Sequence, residues 1–99
     1  MKTSRRKLIQ NLTSDTSALA MPEGRRVGQP GHEKALRFLK QRLTELKLAP
    51  WKGNYFALPY ELPHPDTKRL QKFTNLIAVI PGKDRSLSPI LLGAHYDSV

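Results

Sequence analysis

No cysteine occurs in the 99 residues. Disulfides and thiolate metal ligands are therefore excluded, and any metal would fall to His, Asp or Glu. Acidic residues are also scarce: 8 Asp and Glu stand against 17 Lys and Arg, for a net charge of +9. With 38% hydrophobic and 7% aromatic residues, the chain can build only a modest core. A chain this short makes one domain at most and buries a small share of its surface. No apolar run approaches the roughly 20 residues of a membrane span. Nothing repeats internally, and no segment is low in complexity.

The basic residues are spread along the chain, from Arg5, Arg6 and Lys7 through Arg25 and Arg26 to Lys34, Arg37, Lys40, Arg42 and Lys47. Spread charge reads as a solvated surface. The alternative is a basic binding module, with Arg5, Arg6, Lys7, Arg25 and Arg26 on phosphates, but no nucleic-acid motif accompanies them. Ser4 to Ile9 is faintly similar to a twin-arginine export signal. The apolar run it needs is broken by Asn11, Thr13, Ser14, Asp15, Thr16 and Ser17. A signal peptide is not expected, and its lack points weakly to the cytoplasm.

Residues 3–20 are expected to form a weak helix, with Leu8, Ile9, Leu12 and Leu19 on the buried side. Met21 to Pro30 is loop, punctuated by Pro22, Gly24, Gly28 and Pro30. The clearest helix follows. Ala35, Leu36, Leu39, Leu43 and Leu46 recur at helical spacing, Glu33 suits its first turn, Lys47 its last, and Pro50 its end. Trp51 to Leu62 reads as extended, with Trp51, Tyr55 and Phe56 packing between helix and sheet, and Pro63 to Asp66 as a turn. Phe73–Ile80 and Ser88–His95 read as strong strands, central because their apolar residues run consecutively. His32 is expected at the surface or as a cap, and His64 in a loop. Glu61, Asp66, Asp84, Lys83 and Arg85 read as loop and surface charge.

The order predicts an α/β chain of two helices followed by about three strands in one sheet. Two fully apolar strands need cover on both faces, and these helices cover one, so further chain is expected.

The sharpest chemical feature is His95-Tyr96-Asp97 behind Ile90-Leu91-Leu92. Residues two apart on a strand share a side, so His95 and Asp97 stand together with Tyr96 turned away. One reading is a metal ligand: one ring nitrogen binds the ion while the other donates to the carboxylate. The other is an ordinary hydrogen bond at a strand end. Only Ser98 and Val99 follow, so the sequence reads as the opening part of a metalloenzyme.

Three ordered segments widen the pattern. Arg26 to Ala35, followed by Leu39 and Leu43, resembles the first helix region of the M28 zinc peptidases. Thr74 to Gly82 resembles their next strand, and Ile90 to Val99 resembles the strand that carries their first zinc ligand. The resemblance covers residues 24–99, an incomplete N-terminal portion of such a domain. Residues 1–23 are an extension without a match. The resemblance implies a mixed sheet flanked by helices, two zinc ions, a peptide substrate, and aminopeptidase or carboxypeptidase chemistry. His95 would be a zinc ligand, and Asp97 would hold its imidazole in place without binding metal. The family's bridging Asp, its general-base and ligand Glu pair, a further acidic ligand and a final His have no counterpart here. Zinc is therefore not expected to bind stably to these 99 residues, nor are they expected to be active. Glutaminyl cyclases, acyltransferases with a single zinc, share the Pro-Gly segment, the Asn at the strand start and the His-Tyr-Asp-Ser stretch. There the residue matching His95 is not a ligand. Ala78 to Gly82 and Gly93-Ala94 read closer to the peptidase.

Overall fold

The computed structural model describes residues 3–98. It has two helices, α1 (Arg5–Leu19) and α2 (Pro30–Glu45), and four strands, β1 (Ala49–Pro50), β2 (Ala57–Pro63), β3 (Leu70–Leu76) and β4 (Ala78–Val79). The fold is mixed α/β, with two small antiparallel sheets, β1–β4 and β2–β3.

Ser4 opens α1 by accepting the Lys7 N–H at 3.1 Å, which satisfies one of the donors a helix start leaves free. Pro30 sits at the first position of α2, where its missing N–H costs nothing. The loop between the helices turns at Val27–Gly28, where Gly28 holds φ +86° and the Gln29 N–H reaches the Arg26 carbonyl at 3.0 Å. A positive φ in the second central position of a turn selects glycine. Gly31 is glycine for a different reason. A Cβ there would lie 1.8 Å from the Gly24 carbonyl oxygen, so the first turn of α2 rests directly on the preceding loop.

α2 ends before the expected Pro50. The Leu48 N–H bonds to the Leu43 carbonyl at 3.3 Å and the Lys47 N–H to that of Thr44 at 3.0 Å. This is a Schellman closure, and it places Lys47 at φ +57°. The chain reverses there without help from proline. The helices are joined by the Arg42 guanidinium, whose Nε lies 2.8 Å from Asp15 Oδ1 and whose Nη1 lies 2.9 Å from Glu45 Oε2. The Arg42 hydrogen bond, with a second from Gln41, holds the Glu45 carboxyl below its ordinary value.

The strands differ from a three-stranded sheet. Residues 70–79 face β2 first and then β1. From Pro50 to Ala57 the chain advances seven residues while the facing strand advances two, from Ala78 to Leu76, so five residues are looped out. The Ile77 N–H reaches the Phe56 carbonyl at 2.9 Å and spans the interruption. Trp51 and Tyr55 ride on that loop and are exposed, so they do not fill a helix–sheet interface. Across β2–β3, Tyr60 faces Phe73 and the rings stack at 5.3 Å. Pro59 and Pro63 lie in β2.

The largest departure is the expected strand Ser88–His95, which is not a strand. Among the described residues its backbone bonds to no other main-chain group, and Ile90, Leu91 and Leu92 are 98%, 92% and 95% exposed. A consecutive apolar run marks a central strand only where neighbouring strands supply a ladder, because strand preference is packing rather than an intrinsic backbone property. The expected buried face of α1 is also open: Leu8, Ile9 and Leu12 are half-exposed, and Leu19 alone of the four is partly covered. α1 is tied to α2 through Asp15 in its C-terminal half, and among the described residues Leu8, Ile9 and Leu12 of its first turns stay open. Ala35 is the one buried apolar residue among those described.

Two substitutions should move stability in opposite directions. Gly31→Ala should destabilise by about 1–3 kcal/mol, because the loop must shift to admit the methyl group. Lys47→Gly should stabilise by about 0.5–1 kcal/mol, by removing a side chain from left-handed backbone. Urea unfolding of the three proteins checks both.

Candidate functional site

The stretch 95–98 alternates as a strand does, although no ladder holds it. His95 and Asp97 face outward, and Tyr96 and Ser98 face the body of the protein. Arg25 fixes this arrangement. Its backbone N–H donates to Ser98 Oγ at 2.8 Å, and its carbonyl accepts the Ser98 N–H at 3.1 Å. Its side-chain Nε donates to the Tyr96 carbonyl at 2.7 Å. Nη1 donates to the carbonyl of Leu19, the last residue of α1. A cation there also suits the negative end of the helix dipole. Arg25 is thus a clamp rather than part of a diffuse basic surface.

Tyr96 is the second anchor. Its hydroxyl donates to the Thr74 carbonyl on β3, and its ring stacks on His32 at 4.9 Å with 21° between planes. His32 is correspondingly buried, at 5% exposure, and is not the surface or cap residue expected. Its Nδ1 has no hydrogen-bond partner among the described residues. The third residue of α2 points into the molecule because Gly31 brings that turn against the loop. Burial pushes the Tyr96 phenol up, and the negative charges of Glu33 and Asp97 add to the effect, as does Tyr60.

With Tyr96 held inward, His95 and Asp97 meet. His95 Nδ1 lies 3.1 Å from Asp97 Oδ1. The His95 side chain is 94% exposed and that of Asp97 48%. When Nδ1 carries the proton it donates to the carboxylate, and the Nε2 lone pair is left free. This is the tautomer a metal-bound imidazole adopts. A cleft of about 550 Å³ lies beside the pair, lined by His32, Tyr60, Phe73, Asn75 and Ala94 among others.

The donor set fits one ligand position and its orienting carboxylate. Among the described residues no three His, Cys, Asp or Glu gather where they could share an ion. His64 belongs to its turn, where Nδ1 accepts the Asp66 and Thr67 N–H groups at 3.1 and 3.3 Å. Asp84 belongs to the 84–87 turn, where hydrogen bonds from Ser86, the hydroxyl foremost, hold its carboxyl below the ordinary value. Glu61 and Asp66 are exposed. No known family model, curated protein or solved structure matches the chain.

Arg25 and His32 were not legible as site residues, because their partners lie more than 60 positions away in sequence. The Tyr96 anchor makes a specific expectation. Tyr96→Phe leaves the Thr74 carbonyl without its donor and should cost about 1 kcal/mol. The Tyr96 phenol should ionise above the usual value of about 10. Its contribution to stability is therefore whole below pH 10 and is lost as the pH rises through the raised value. An ultraviolet titration of the parent and of Tyr96→Phe checks this: the late-titrating component should vanish in the variant.

Proposed function

We propose that this chain carries the first zinc ligand of an aminopeptidase-like zinc metallopeptidase of the M28 type, with a peptide as substrate. The observation that carries the reading is the His95–Asp97 pair, 3.1 Å apart and with the imidazole open to solvent. The resemblance of residues 24–99 to that family supports it. In this reading His95 offers Nε2 to the metal. Asp97 accepts from Nδ1, fixes the tautomer and raises the basicity of the ligand. Tyr96, Ser98 and Arg25 hold the main chain in the alternation that puts ring and carboxylate on the outer side. When bound, zinc polarises a scissile carbonyl and brings the pKa of a bound water to near neutrality.

A catalytic zinc takes three protein ligands, and His95 is one. The remaining donors and the general base belong, in this proposal, to polypeptide outside the 99 residues. Zinc is then held by the assembled protein and not by this segment alone.

Metal analysis and activity measurement test the proposal together. Protein isolated from its source cells should contain zinc, lose most of it in His95→Ala, and hydrolyse an aminoacyl chromogenic substrate. The purified 99-residue chain should show no turnover. Turnover by that chain, abolished by a chelator and by His95→Ala, would overturn the view that the remaining donors lie elsewhere. A single zinc per molecule that His95→Ala leaves in place would overturn the ligand assignment and favour the glutaminyl cyclase branch.

A further inference from the structure

The first two turns of α1 carry a feature the zinc reading does not use. Arg5, Leu8, Ile9 and Leu12 follow the i, i+3, i+4, i+7 spacing and form one stripe along the helix. Leu8, Ile9 and Leu12 are 50%, 54% and 58% exposed, so this apolar line is open to solvent. Arg5 stands at its head, Arg6 beside it and Lys7 across the helix, all exposed. No acidic residue lies in the first turn. Among the described residues none of the three cations forms an ion pair, whereas Asp15, Glu23 and Glu45 are taken by Arg42 and Lys34.

We propose that this face of α1 docks on an anionic phospholipid surface, lying in the plane of the interface with Leu8, Ile9 and Leu12 turned into it. Charge complementarity selects the occupant. Three unpaired cations on a chain of net charge +9 repel a second copy and attract a negative surface. The aliphatic stripe separates lipid from nucleic acid, because a phosphate backbone offers nothing for three leucine-sized side chains to enter. Basic residues flanking an apolar helix face are the pattern of helices that lie on membranes. Spanning is a separate matter: no described helix is long and apolar enough to cross a bilayer. The long stems of Arg5 and Arg6 can lie along the apolar boundary while their guanidinium groups remain at the phosphates.

Co-sedimentation of the 99-residue chain with vesicles tests the proposal, comparing pure phosphatidylcholine with a mixture containing about one third phosphatidylserine. Binding is expected to the mixed vesicles only, weakening as salt rises. Each cation near such a surface strengthens binding about fivefold, so Arg5→Gln/Arg6→Gln should lower it by roughly 25-fold. Leu8→Gln/Leu12→Gln, which keeps the charge, should lower it by roughly tenfold. Circular dichroism confirms that each variant retains its helices, and the salt dependence of the unaltered chain needs no variant. Equal binding to both vesicle types, or none to either, would overturn the proposal. So would a Leu8/Leu12 variant that binds undiminished, or duplex DNA that competes away the vesicles at equal phosphate concentration.

Discussion

Arg25 ties together the end of α1, the loop that follows it and residues 96–98. Its guanidinium joins the C-terminal carbonyl of α1 to the main chain at Tyr96, and its own backbone pairs with Ser98. A guanidinium suits this task because its several donors are fixed in one plane and cannot be deprotonated. Hydrogen bonds donated by a charged group are also about twice as strong as neutral ones. A chain with one buried apolar residue among those described has little core to fall back on. Order in residues 96–98 therefore rests on this polar clamp and on the Tyr96 stack against His32, not on a hydrophobic interior.

The candidate site inherits its geometry from that clamp. Anchoring Tyr96 and Ser98 forces the residues between and before them outward, and the His95–Asp97 contact follows from backbone alternation. A sheet ladder would produce the same alternation by a different route. Two side-chain anchors and one main-chain pair are enough to impose it over four residues. What they do not impose is cover for the residues upstream, and Ile90 to Leu92 stand clear of the protein.

How much of this the sequence disclosed depends on the range of the interaction. α2 was legible because its signals are local, Glu33 in the first turn and the Ala35, Leu39, Leu43 stripe, although the helix already begins at Pro30, the last residue of the expected loop. The proximity of His95 and Asp97 was legible because spacing of two needs only extended backbone. The helix stop at Lys47 was hidden, since left-handed closure normally announces itself with glycine. The loop of five residues between β1 and β2 was hidden too, because register is a property of two strands and not of either one. Ser88–His95 misled for the converse reason. Its composition describes the environment that would stabilise it as a strand, and composition alone does not supply that environment. The roles of Arg25 and His32 depend on partners 73 and 64 positions away, and no local pattern encodes them.

The prolines of β2 and the open run at Ile90 to Leu92 give the molecule two unlike edges. Pro59 and Pro63 remove N–H groups from β2 and blunt it against further pairing. The 88–94 stretch has only Pro89 for protection, and an uncovered apolar run with free backbone groups is a template for self-pairing. Copies are kept apart by their shared charge of +9, a long-range repulsion that salt removes. Colloidal behaviour then turns on ionic strength: at 1 M salt the screening length falls to about 3 Å, and nothing electrostatic remains to hold one such run away from the next.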